Sequence, residues 1–336
     1  MEILVQQNTN LKALNTFGLD ATAEYFVAVD STEQLEEAFG FAKDKKLAIW
    51  VLGGGSNLVL RHSIPGLCIH MGIESLDIDG QRVQVGAGLN WHQLVTTTLN
   101  QELFGLENLS LIPGQVGAAP IQNIGAYGIE FSEVAVEVNA HMIDTGESVT
   151  LARSDCGFGY RHSVFKAELR DRAVITSVVL KLESEFQPRL EYAGISNFMD
   201  ANKLPLSAQS VSEAVCSIRR GKLPDPKNVG NVGSFFKNPW VEEDLAAALR
   251  LADPQMPMHK QAAGGFKLSA AYLIESAGLK GLRVGGAAIS DQHSLVIQND
   301  GKASFADVLG LADKVKQSIH SRFDISLDIE PRIYPD

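Results

Sequence analysis

The sequence lacks most of the motifs that name a chemistry at sight. GxGxxG, the GxxxxGK[ST] phosphate loop, HExxH, GxSxG and an EF-hand loop are all missing from its 336 residues. A dehydrogenase with a Rossmann nucleotide site, a P-loop NTPase and a zinc hydrolase are therefore disfavoured. Cysteine is scarce: Cys68, Cys156 and Cys216 are odd in number, far apart and free of CxxC spacing. That argues against a disulfide framework or a zinc site, and each is expected to be a buried apolar position in a reducing compartment. Basic runs are missing too. The nearest, Arg219-Arg220-Gly221-Lys222, is too short to be an arm, and the net charge is −11. Phosphate contacts need clustered Lys and Arg, so no nucleic-acid partner is expected, although a local basic pocket for a small anion is compatible. No apolar run approaches the roughly 20 residues that span a bilayer. The start, MEILVQQNTNLKALNTFG, has no basic opening and no long apolar core. Neither a membrane segment nor a secretory signal is expected, and the default location is the cytoplasm.

What is present suits a folded protein of two or three domains. With 45% hydrophobic residues, enough apolar surface is available to offset chain entropy. Residues 24–29, EYFVAV, read as a strand. Ser31-Thr32-Glu33-Gln34 reads as a capping box that opens an amphipathic helix to Lys45. Residues 48–52, AIWVL, read as a buried strand running into Gly53-Gly54-Gly55-Ser56-Asn57. A strand at 82–87 and a helix at 90–100 follow. Residues 133–143 and 148–152 read as a hairpin around Asp144-Thr145-Gly146, and 173–182 as a β-branched strand. Helices are expected at 207–220, N-capped by Ser207, and at 242–251, 268–277 and 304–322, with Gly278 at a C-terminus. Residues 283–289 and 294–298 read as strands before a turn at Asn299-Asp300-Gly301, and 325–334 as an alternating strand containing Glu330. Pro/Gly breaks over 223–231 suggest a domain boundary.

Two glycine-rich segments are candidates for a phosphate site. Three consecutive glycines at a strand end let backbone approach a ligand and turn N–H groups inward, and Ser56 and Asn57 add donors. The same run is also compatible with a plain tight turn. The second segment, residues 111–128, reads LIPGQVGAAPIQNIGAYG. A Pro-Gly turn leading to small residues and a helix start is an anion site, with free N–H groups and the helix dipole facing a diphosphate. Gln122 and Asn123 have amides able to meet a polar ring edge. A loop that merely packs tightly is the other reading.

The blocks GGGSN, IPGQVGAAPIQNIGAYG, FGYRHSVFK, LPDPK, GSFFKNP and IEPRI occur in this order. With them the sequence resembles the UDP-N-acetylenolpyruvoylglucosamine reductase family, flavoenzymes of bacterial peptidoglycan precursor synthesis. The resemblance runs from Asn15-Thr16-Phe17-Gly18 to Glu330-Pro331-Arg332. It implies an α+β fold: a two-part vanillyl-alcohol-oxidase/PCMH-type FAD-binding module at about 22–185 and a separate α+β substrate-binding domain. The implied division is 1–69 with 325–336 as the first FAD-binding lobe, 70–220 as the second, and 221–324 as the substrate-binding domain. The implied reaction is NADPH-dependent reduction of the enolpyruvyl group of UDP-N-acetylenolpyruvoylglucosamine to UDP-N-acetylmuramate, by way of non-covalent FAD, in a monomer.

Residue by residue, the resemblance assigns Gly53, Gly54, Gly55, Ser56, Asn57, Pro113, Gly114, Val116 and Gly117 to the FAD diphosphate. It sets Gln122, Asn123 and Gly125 near the flavin. Ala118-Ala119 departs from members that carry two serines there, which removes two hydroxyl donors and leaves more to backbone N–H groups. Ser234 matches the proton donor. Arg161, a guanidinium able to hold a carboxylate bidentately, and Glu330 match the other site residues. Lys222 and Asn238 match positions that grip the sugar-nucleotide diphosphate, with Lys237 a weaker candidate, and His162 is not expected to be catalytic. Leu190-Glu191-Tyr192-Ala193-Gly194 is similar to the longer subclass, in which Tyr192 would fold over that diphosphate. Two other readings stay open. One is a flavin oxidase of the same module, which often attaches FAD through His or Cys; His62 lies close to the glycine run. The other is a nucleotide-binding protein without catalysis.

Overall fold

The computed structural model describes residues 3–262 and 264–335. Two compact units emerge. The first comprises the N-terminal segment to Thr9, Ala23–Gly54 and Pro65–Gly221; the second comprises Asn10–Thr22, Gly55–Ile64 and the chain from Lys222 onward.

The first unit holds a four-stranded sheet in the order Gln6–Asn10, Thr22–Val29, Ser63–Met71, Ile49–Leu52. The last two strands are parallel, so Leu52 delivers the chain into Gly53 at the sheet end. Helix α1 (Thr32–Lys45) buries Leu35, Ala38, Phe39 and Ala42, the i, i+3, i+4, i+7 stripe of an amphipathic helix. Ser31 caps it by accepting the Gln34 N–H at 3.3 Å. The Gln34 side chain accepts from Asp30 N–H at 2.7 Å instead of from Ser31, so the expected box closes one residue early.

A five-stranded antiparallel sheet follows, ordered Ser148–Ala152, Ala135–Met142, Ala173–Lys181, Arg82–Gly86, Leu76–Asp79. The expected hairpin forms, with His141 opposite Ser148. Helix α2 (Trp91–Asn100) is capped by Asn90, whose Oδ1 accepts the Gln93 N–H at 3.0 Å. The helix start expected in the second glycine-rich segment is only a single 3₁₀ turn, Val116–Ala118. Val116 and Gly117 donate their N–H groups to Leu89 and Ala87 at 2.9 Å, which holds the chain against the end of the Arg82–Gly86 strand. Pro120 then removes a donor that a longer helix would need.

Helix α3 (Ala193–Asn202) was not foreseen; it covers the back of the LEYAG block. Its Ile195 and Met199, four residues apart, pack with Val211, Ala214 and Val215 of helix α4 (Ala208–Lys222) in a small core. Ser207 caps α4 as expected, accepting the Ser210 N–H at 3.1 Å. Cys68, Cys156 and Cys216 are buried free thiols.

The second unit has helices α5 (Glu243–Ala252), α6 (Ala270–Ser276) and α7 (Phe305–Phe323) with short sheets. Ser304 and Asp307 form a reciprocal capping box at 3.1 and 2.9 Å that starts α7. Val308, Leu311, Ala312, Val315 and Ile319 form its buried stripe. Two strand expectations are corrected here. Residues 283–289 are not one strand but the hairpin Arg283–Val284 and Ala287–Ile289, bent at Gly285 with φ +52°. A Cβ there would lie 2.2 Å from Asp307 Oδ1, so glycine and the α7 cap fit together. Residues 325–334 are not continuous either: Arg332–Tyr334 forms a strand that pairs in parallel with Leu58–Leu60. Pro331 has no N–H to give a ladder, and Ile329 pairs with Phe236 instead. Glu330 thus sits where the chain changes partners. Among the described residues, no helix is long and apolar enough to cross a membrane.

Candidate active site

In the first unit the two glycine-rich segments touch. A Cβ on Gly54 would lie 3.0 Å from Gly114 Cα, and one on Gly53 would lie 2.9 Å from Gln115 Oε1. Side chains are excluded at this crossing. Among the described residues, the N–H groups of Gly53 and Gly54 meet no backbone acceptor. Two unspent donors on side-chain-free backbone make a cradle that fits a diphosphate.

The second segment contributes shape more than donors. The N–H groups of Val116, Gly117, Ala118 and Ala119 already reach the carbonyls of Leu89, Ala87, Gln115 and Val116. The extra backbone donation expected to replace two serine hydroxyls is therefore not available from these four groups. Gly117 is required by packing, because a Cβ would come 2.5 Å from Ala87 Cβ. Ala119 is 1% exposed within the core, where a hydroxyl would need a partner. Gln115, which the sequence reading passed over, anchors the segment: its Nε2 donates to Met71 O at 3.0 Å. An amide set among glycines was the available signal.

Asn123 is entirely buried and takes φ +45°. Its Nδ2 donates to Glu130 Oε2 at 2.7 Å and to Gly159 O at 3.2 Å, and its Oδ1 accepts the Ser132 N–H at 2.9 Å. The amide thus binds the loop to the FGYR turn. That turn is closed by Gly159 and His162, whose backbones exchange two bonds of 3.1 Å. Arg161 stands at its tip with φ +53° and donates Nη2 to Gly125 O at 3.1 Å. Asn123, Gly125 and Arg161 are so brought together, while Tyr192, half-exposed, meets Tyr127 edge-to-face at 5.0 Å.

In the second unit four backbone hydrogen bonds close a ring. Thr16 N–H donates to Gly55 O at 3.1 Å, and Asn231 N–H donates to Thr16 O at 3.0 Å. Glu330 N–H donates to Phe235 O at 2.9 Å, and Arg332 N–H donates to Asn57 O at 3.0 Å. The circuit runs from Gly55-Ser56-Asn57 through Arg332 and Glu330 to Phe235 and Ser234, then by Asn231 and Thr16 back to Gly55. Ser234 and Glu330, almost a hundred positions apart in the sequence, are thereby fixed on adjoining backbone. Gly55 is obligatory in the ring: φ is +60° and a Cβ would lie 2.2 Å from Leu14 O. Thr16 and Asn231 are site-building residues that the sequence reading did not single out. Asn231 Oδ1 accepts the Gly233 N–H at 3.0 Å and shapes the turn before Ser234.

Asn238 Oδ1 accepts the Ala270 N–H at 3.0 Å and so holds the first turn of α6. Lys222 is exposed, and its charge reaches His293. Burial first, then Lys222 and Lys280, hold the His293 imidazole below its usual range, against the pull of Glu275. Lys237 contributes its N–H to Asp328 O at 2.9 Å, in step with the Glu330 pairing.

Known proteins named UDP-N-acetylenolpyruvoylglucosamine reductase are similar to this chain from end to end. A reductase of this name from Pseudomonas putida is 44% identical over 340 residues, covering 99% of this chain and 100% of its own. The Escherichia coli protein of the same name is 43% identical over 329 residues, covering 97% and 95%. The chain belongs to the UDP-N-acetylenolpyruvoylglucosamine reductase family. Residues 225–334 match the family described as the C-terminal domain of that reductase, and residues 23–152 match the FAD binding domain family. The crystal structure of the Thermus caldophilus reductase covers 100% of both chains with TM-score 0.70 at 28% identity. Family membership gives the fold its class, α+β with an FAD-binding module, and the cradle at Gly53 and Gly54 falls inside the matched FAD binding domain.

Proposed function

We propose that this chain catalyses the NADPH-dependent reduction of the enolpyruvyl group of UDP-N-acetylenolpyruvoylglucosamine to UDP-N-acetylmuramate, in peptidoglycan precursor synthesis. The observation that carries the proposal is the backbone ring that fixes Ser234 beside Glu330, within a family whose relatives bear this activity in their name.

When bound, FAD supplies the hydride chemistry between NADPH and substrate. Gly53 to Asn57 with Pro113 and Gly114 hold its diphosphate, Val116 and Gly117 set the wall, and Gln122, Asn123 and Gly125 order the flavin side. Reduction at the terminal carbon of the enolpyruvyl group leaves an enolate-like carboxylate. Arg161 binds that carboxylate through its fork of donors. Glu330 helps to polarise it. Ser234 gives its hydroxyl proton to the neighbouring carbon; so weak an acid suits a basic, enolate-like acceptor. Lys222 and Asn238 hold the substrate diphosphate, and Tyr192 folds over it as in the longer subclass. The lobes are taken as 1–69 with 325–336 and 70–220, with 221–324 as the substrate domain, in a cytoplasmic monomer.

Stopped-flow spectroscopy tests this. NADPH should bleach the flavin, and the enolpyruvyl nucleotide should restore its colour. Ser234→Ala should leave the first step nearly intact and slow the second by about a hundredfold or more, the usual range for general acid catalysis. Equal slowing of both steps would remove Ser234 from the proton-donor role.

A further inference from the structure

We propose that Asn108 is a positioning residue that ties the segment carrying Tyr192 to the end of the flavin loop, and so sets the affinity for the sugar-nucleotide substrate. The proposal rests on the reading that Tyr192 folds over that substrate. Asn108 lies in the 3₁₀ turn Glu107–Leu109 and is 0% exposed. Its Nδ2 donates to Tyr127 O at 2.9 Å and to Arg189 O at 3.0 Å. One carbonyl closes the loop that began at Leu111; the other stands three residues before Tyr192. A single amide therefore holds two distant segments side by side, at the place where the Tyr127 and Tyr192 rings meet at 5.0 Å.

The turn beneath the amide is well fixed. Glu107 Oε2 accepts the Gly105 N–H at 2.7 Å, and Trp91 Nε1 donates to Leu109 O at 2.9 Å. The neighbouring Ser110 and Ser212 hydroxyls are 2.7 Å apart. By contrast Asn108 Oδ1 is buried and meets no donor among the described residues. A buried acceptor left alone is destabilising, and the two bonds that the same amide donates offset that cost. Its donor half is the part in use. The segment is also held through Leu190, whose carbonyl accepts from Ser196 Oγ at 3.0 Å and whose side chain packs on the core between α3 and α4, beyond Arg189. Arg189 pairs with Glu133, both side chains being substantially solvated, and such pairs contribute little. The buried amide is the tie that sets where Tyr192 starts from.

Two substitutions test this with opposite demands on the fold. Asn108→Leu keeps the volume and removes donors and orphan acceptor together. Asn108→Asp keeps the shape but sets acceptors against both carbonyls. Either variant should keep full FAD content and an unchanged rate of flavin bleaching by NADPH. KM for the enolpyruvyl nucleotide should rise about tenfold, the scale of one or two lost hydrogen bonds, with kcat within about twofold. Amide exchange over residues 186–192 should quicken. Glu133→Gln should change neither KM nor exchange. An unchanged KM or unchanged exchange in a folded Asn108 variant overturns the proposal, as does an equal rise in KM from Glu133→Gln. Should neither Asn108 variant fold, native wild-type protein still decides: a tied segment resists trypsin at Arg189, and rapid cleavage there refutes the tie. Failure of the enolpyruvyl nucleotide to reoxidise wild-type flavin would sink the proposed activity instead, while exchange and proteolysis would still judge Asn108.

Discussion

Glycine positions show what one residue could and could not reveal. GGGSN was readable as a backbone approach site, but its three glycines have different reasons. Gly53 and Gly54 clear the crossing with Gln115 and Gly114, and Gly55 serves the Thr16 turn. Gly54→Val should therefore lower FAD occupancy, read as flavin absorbance per protein in the purified variant; a fully yellow protein would count against the cradle. Gly55→Ala should act on the fold itself. A Cβ 2.2 Å from Leu14 O with φ +60° offers no easy relaxation, so a loss of about 3 kcal/mol or more is expected from the shift in urea midpoint. The roles of Arg161, Ser234 and Glu330 came from block order. No single-residue property of Ser234 distinguishes it from an ordinary turn serine, because its setting depends on Glu330 far along the chain.

Elements with local signals were legible. The α1 stripe and cap, the hairpin at Asp144-Thr145-Gly146 and the α7 capping box are written in neighbouring residues. Helix α3 was not, because no side chain caps its start, Gly194 lies in its first turn, and its apolar positions pack against α4. The terminal strand failed at Pro331, where two partners compete for one short segment. Helices α2 and α4 together hold Leu111, which takes φ +58°. His92 Nδ1 accepts its N–H at 3.0 Å, and Arg219 Nε donates to its carbonyl at 3.2 Å. Burial, then Arg220 and Arg219, hold the His92 imidazole below its usual range. The unfolded chain therefore binds more protons than the native one as pH falls below about 6.5, and stability is lost on that acid side. The drop in urea midpoint between pH 7.5 and pH 5.5 should be smaller in His92→Gln than in wild type; an identical drop would show that His92 does not titrate with folding.

At the scale of the whole molecule, block order announced the family, yet the pairing of distant segments stayed hidden. Thr16 meets Asn231 across 215 positions, and nothing local to either predicts it. The oxidase alternative also belongs to this scale. Burial pushes the thiols of Cys68 and Cys216 up, and burial with Asp155 nearby pushes Cys156 to about 11. None of the three is a ready thiolate for a flavin bond. Acid precipitation should leave the yellow colour in the supernatant; a yellow pellet would favour covalent attachment.

The ring through Gly55, Thr16, Asn231, Ser234 and Glu330 also bears on when activity can arise during synthesis. Its members come from segments far apart in the sequence, around Thr16, Gly55, Asn231 and Glu330, and Arg332 closes it. A nascent chain therefore carries no assembled serine–glutamate pair until residues 330–332 have emerged, however early its hairpins form. Products ended just ahead of Glu330 should fail to pass hydride to the enolpyruvyl nucleotide, which reoxidation of the flavin would read.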